Sequence, residues 1–136
     1  MLAIIADIYS PLLALFCVYY LKTIFDKKFA ASFVIAYLYV YGFAYIEFQY
    51  GWWASIDGDF SSHTAAVSVM VAALLAVNYK VGAIAFLSLL VYGLLMTKLD
   101  YHSWFDIFTT LLICSPCWLL FAVVNRKVSP VLMTHR

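Results

Sequence analysis

Charge is scarce in this sequence. Only 11% of its 136 residues are Asp, Glu, Lys or Arg, against about a quarter in an ordinary soluble domain. Eight basic and seven acidic residues leave a formal net charge of +1. No Lys/Arg run is present, so the electrostatic footprint of a nucleic-acid partner is missing. Three cysteines are too few for a disulfide framework. Five glycines and three prolines form no linker. With no internal repeat or low-complexity tract, residues 1–136 read as one domain.

What is abundant is hydrocarbon, at 67% apolar residues. A soluble fold of this size cannot hide that much apolar surface, so lipid is the expected solvent. A bilayer core of roughly 30 Å needs about 20 apolar residues per helix. Five segments qualify, at 2–21, 30–50, 61–79, 81–97 and 103–124. The first lacks a basic leader and a small-residue cleavage site, so it reads as a retained helix. The short "NYK" between the third and fourth predicts an antiparallel hairpin. The expected fold is all-α, a polytopic transmembrane bundle of about five helices.

Basic residues orient the bundle. Lys22, Lys27, Lys28, Lys80, Arg126, Lys127 and Arg136 share one set of connections, which is therefore expected in the cytoplasm. The other set holds Lys98 with Asp57, Asp59 and Asp100. The N-terminus is then outside, the C-terminus inside, and the protein a multi-pass component of the plasma or inner membrane.

Two polar stretches run into apolar segments on the expected outer face. In "DGDFSSHTAAV" (57 to 67), Ser61 or Ser62 can cap the free N–H groups of a helix start, where the dipole favours an anion. His63 beside them would add a proton donor to a phosphate cradle. In "YHSWFD" (101 to 106), His102 and Asp106 are spaced i, i+4, which places both on one helix face. A carboxylate there can fix the imidazole tautomer and leave the other nitrogen free to attack. The plainer alternative is that these polar groups only satisfy helix starts. Two histidines among scattered aspartates lack the tight spacing of a zinc site.

These stretches resemble the second and third motifs of the type 2 phosphatidate phosphatase superfamily, in particular its sphingomyelin synthase-like branch. That branch carries C-G-D-x-x-F-S-G-H-T and H-Y-[ST]-x-D-V; this chain reads S-I-D-G-D-F-S-S-H-T and H-S-W-F-D-I. Asp57, Phe60, Ser61, His63 and Thr64 match the first, His102 and Asp106 the second. The resemblance implies a lipid phosphoesterase or headgroup transferase working through a phosphohistidine. His102 would be the nucleophile, Asp106 its orienting carboxylate and His63 the donor to the leaving alcohol. Asp57, Ser61, Ser62 and Lys98 would bind the substrate, a phospholipid or other lipid phosphate, with no metal or cofactor. Ser62 stands where the family has glycine, Met96 where the phosphatase branch has arginine, and its K-x6-R-P motif is missing. Lys98 is the only cation nearby.

Two rival readings stand beside this one. A non-enzymatic membrane subunit or small pore would use the polar mouths only as helix caps. A thiol redox protein would use "CSPC" (114 to 117), although Cys114 is expected about 18 Å down its helix from His102, a dry depth for thiolate chemistry. The aromatic "FAYIEFQYGWW" (43 to 53) reads as an interfacial belt or, alternatively, a cage for a quaternary ammonium. Glu47 within it would pair with Lys98 or meet a cationic headgroup.

Overall fold

Four of the helices begin at a side-chain cap. The computed structural model describes residues 2–22 and 26–133. It contains α1 (Leu2–Leu21), α2 (Lys27–Tyr50), a 3-10 turn (Ala54–Ile56), α3 (Ser62–Val77), α4 (Tyr79–Lys98), α5 (Trp104–Ile113) and α6 (Ser115–Met133), with no strand among the described residues. The Asp26 carboxylate caps α2 by accepting from the Phe29 N–H, and Gly51 ends that helix with φ at 61°, a left-handed angle that glycine adopts without strain. Ser61 caps α3, Asn78 caps α4 and Ser103 caps α5.

α1, α2 and α4 are each long and apolar enough to cross a membrane; α5 and α6 reach that length only as a pair, bent by 41°, with the shape of a broken span or a re-entrant loop. The multi-pass fold expected from composition is therefore present. The single helix expected over 103–124 is not: it breaks at Cys114. Pro116, second residue of α6, has no N–H for the carbonyl four residues back, and its ring crowds that position. Backbone freed in a bilayer must find another partner. Here the Leu112 carbonyl accepts from the Cys114 N–H, and the Tyr39 hydroxyl donates to the neighbouring Ile113 carbonyl at 2.9 Å.

α3 sits at the centre. At 16 residues it is only about 24 Å long, but α1, α2, α4, α5 and α6 all pack on it. Ala65, Val67, Ser68, Val69, Val71, Ala73 and Leu74 are fully enclosed, as expected of a helix that is apolar all round. The predicted hairpin is confirmed and tighter than expected. Asn78 alone separates α3 from α4, and its side chain accepts from the N–H groups of Lys80 and Val81. Gly82 lies so close to the Leu75 backbone that a Cβ would collide with it. α1 and α2 both pack on α3, with no close backbone approach to each other among the described residues.

The two ends of the bundle differ in charge. One carries Lys22, Lys27, Lys28 and Lys80, held together by the Asn78 to Tyr20 hydrogen bond (3.0 Å) and by Phe29 against Phe121 (5.4 Å). The other gathers the starts of α1, α3 and α5 with the ends of α2 and α4, and so Asp7, Asp57, Asp59, Asp100, both helix-start histidines and Lys98. Arg136 lies outside the described residues, as do the side chains of Arg126 and Lys127.

Candidate functional site

Loop geometry at the acidic end is fixed by hydroxyls and one carboxylate. The Ser61 hydroxyl donates to Thr64 Oγ1 (2.8 Å) and accepts from the Thr64 N–H, while its own N–H donates to Thr110 on α5. Ser61 is fully buried. Asp106 performs two tasks. Its Oδ2 accepts from the Ser103 N–H (2.7 Å) and hydroxyl (2.8 Å), completing a capping box at the start of α5. Its Oδ1 accepts from the Asp59 N–H at 2.7 Å, tying the 57–60 loop to α5. Gly58 lies against this carboxylate, where an added Cβ would stand 3.1 Å from Oδ1. Asp57 and Asp100 hold positive φ angles of 54° and 55°, which aspartate tolerates better than most residues. Each turns the chain shortly before a histidine.

These turns bring His63 and His102 to one cavity. It measures about 370 Å³ and is lined by Asp7, Asp59, His63, Asp100, Tyr101 and His102, with Ala6, Tyr92 and Met96 behind them. The His102 side chain is 10% exposed and its Nδ1 stands 3.3 Å from Asp59 Oδ2, an ion-pair distance without hydrogen-bond alignment. The Asp59 carboxylate is 71% exposed, and His63 is exposed at the mouth of α3. Among the described residues, no lysine or arginine lines the space.

Several expected roles are corrected. His102 and Asp106 do not share a helix face, because α5 starts only at Trp104 and His102 precedes its cap. The carboxylate facing His102 is Asp59, whereas both oxygens of Asp106 are occupied by loop and cap. Asp57 and Lys98 are exposed and outside the cavity. Ser61 is consumed by capping. Ser62 lines a neighbouring cavity of about 420 Å³ with Glu47, Gly58 and Asp59. The residues missed were Asp7, Asp59 and Asp100. Asp59 stands four residues before His63 in the quoted motif, but nothing in the spacing tells a loop carboxylate to turn toward the other histidine.

Other candidates have structural explanations. Glu47 accepts from the Trp52 and Trp53 N–H groups (3.1 and 2.8 Å), closing the end of α2. Trp53 packs edge-on to Phe43 and Phe60 and donates to Thr109, so it is a packing ring and not a cage wall. Cys114 and Cys117 are free thiols in the core, Cys117 against the Ala36 carbonyl. Among the described residues, no group of three or more His, Cys, Asp or Glu is placed to hold a metal ion. Comparison with protein families, with curated proteins and with solved structures returns no match for this chain.

Proposed function

We propose that this protein is a membrane-embedded lipid phosphoesterase or headgroup transferase using His102 and His63. The observation that carries the reading is the shared cavity: the imidazole at the start of α3 and that of the turn before α5 line one space of about 370 Å³. The resemblance in the two motifs supports it. In the proposed reaction His102 Nε2 attacks phosphorus while Asp59 faces Nδ1. The P–O bond to the alcohol breaks, and His63 gives that oxygen its proton. Water or a second alcohol then attacks the phosphohistidine, returning its proton to His63.

Charge narrows the substrate. Three carboxylates without a lining lysine or arginine repel a dianionic phosphomonoester. A phosphodiester with one negative charge and a cationic headgroup suits the cavity better. In liposomes, turnover of phosphatidylcholine or phosphatidylethanolamine should exceed that of phosphatidic acid, and His102→Ala should abolish both turnover and covalent phosphorylation. Wild-type rates for His102→Ala would sink the enzyme reading.

A second reading is favoured by one observation: Ser61, Ser103 and Asp106 are all spent on helix caps. On that reading the protein is a non-enzymatic membrane subunit. It predicts no turnover of any phospholipid and a loss of fold, not of chemistry, when these caps are removed.

A further inference from the structure

α1 and α2 flank α3 with no close backbone approach to each other among the described residues, and between them lies an apolar cleft. It holds about 320 Å³ between Ala14, Val18 and Leu21 of α1, Phe33 and Tyr37 of α2, and Met70 of α3. A shallower groove continues from Phe33 and Tyr37 along α2 toward Tyr41 and Gly42. Phe33, Tyr37 and Tyr41 stack at i, i+4 spacing along it, 6.3 and 6.0 Å apart. Of the two polar tips in the cleft wall, the Cys17 thiol and the Tyr37 hydroxyl, the hydroxyl donates to the Ala66 carbonyl at 3.3 Å.

The cleft is in line with the imidazole cavity. Asp7 and Ala14 of α1 are seven residues apart, as are His63 and Met70 of α3. Seven residues bring a helix back to the same face about 10.5 Å further along. The α1 and α3 walls of the polar cavity therefore continue into walls of the apolar cleft, while its α4 wall, Tyr92 and Met96, gives way to α2. Polar chamber above and hydrocarbon slot below match an amphiphile in outline. α1 and α2 are both of membrane-spanning length and composition, so the slot opens sideways to acyl chains.

We propose that the α1/α2 cleft is a binding site for one acyl chain of a phospholipid whose headgroup lies in the His63/His102 cavity, reached laterally from the bilayer. The headgroup half of this statement rests on the proposed function; the tail half does not. A partner helix is a poorer occupant, because a helix 10–12 Å across fills more than about 400 Å³ per turn. A single chain fits the slot.

The test uses the full chain in nanodiscs of phosphatidylcholine spiked with a phosphatidylcholine carrying a diazirine at the middle of one acyl chain. Illumination and peptide mapping should place the label on Val18, Tyr37 or Met70. Ala14→Trp, which fills the slot, should cut that label at least fivefold, while Leu15→Trp on the outer face should leave it unchanged. If Ala14→Trp does not fold, Val18→Phe gives the same reading. Label spread evenly over outer residues in all variants means annular lipid only and overturns the site. So does cross-linking of a photoreactive residue at position 14 to a second protein copy. The two proposals fail separately. Cleft labelling with no phospholipid turnover removes only the enzyme, and turnover without cleft labelling removes only the tail site.

Discussion

Asp106 and Asp59 show how one loop separates fold from chemistry. Asp106 is 5% exposed and accepts three hydrogen bonds. Asp106→Asn replaces one acceptor oxygen by a donor, leaving an N–H of Ser103 or Asp59 without its partner. Hydrogen bonds to a charged group contribute about 1.5–3 kcal/mol, so a loss of about 2 kcal/mol is expected, measured by unfolding in mixed micelles. Unchanged stability would deny Asp106 this role. Asp59→Asn removes the charge facing His102 but not the backbone N–H that Asp106 binds. Because that carboxylate is 71% exposed, solvent screens the pair. Its loss should lower turnover by only about fivefold, the equivalent of about 1 kcal/mol for an exposed pair, with stability unchanged. A larger fall in stability than in rate would assign Asp59 to the fold instead.

At the scale of helices, two glycines make opposite predictions. Gly82 meets the Leu75 backbone across the α3/α4 hairpin, and a methyl there would force the helices apart. Overpacking costs about 1–3 kcal/mol, so Gly82→Ala should destabilise by that order. Gly42, inside α2, has nothing within 4 Å of an added Cβ. Gly42→Ala should stabilise by about 0.5–1 kcal/mol through helix propensity alone. Equal effects of the two, read by the same unfolding assay, would refute the close approach. The α5/α6 break allows a parallel test. Pro116→Ala restores the missing donor and should straighten the 41° bend. Spin labels on Phe108 and Leu119, both exposed, report the change as an altered distance.

Charge polarity governs the whole molecule. The lysine end should face the cytoplasm and the histidine cavity the opposite side, by the bias of basic residues near span ends. The three native thiols are buried, so a cysteine at exposed Lys27 or Ser55 would be the only reactive one among the described residues. An impermeant maleimide should label Ser55→Cys from outside intact cells and Lys27→Cys only after permeabilisation. Labelling of both from one side would break the bundle's polarity. Replacing Cys114 and Cys117 by serine should abolish no activity, although it disturbs packing, because these thiols face the core and not the cavity.

The sequence alone determined the all-helical class, the rough limits of the first four helices, the α3/α4 hairpin and the two polar stretches that carry the histidines. These depend on local quantities: twenty-residue hydropathy, cap residues such as Ser61 and Asn78, and the single-residue joint between helices. The count was not among them. Five spans were expected, and six α-helices form among the described residues, of which three, or four with α5 and α6 taken together, are long and apolar enough to cross a membrane. The tertiary structure decided the rest. It made α3 the shielded centre, because all-round apolarity looks the same in a lipid-facing and a buried helix. It broke the last span at Cys114, where one proline can either kink or start a helix. It also moved His102 off α5 and gave Asp106 to the caps, since i, i+4 spacing puts two side chains on one face only if both lie inside the helix. The carboxylate that faces His102 came from a loop 43 residues earlier, Asp59, and loop approach of that kind follows from packing, not from spacing.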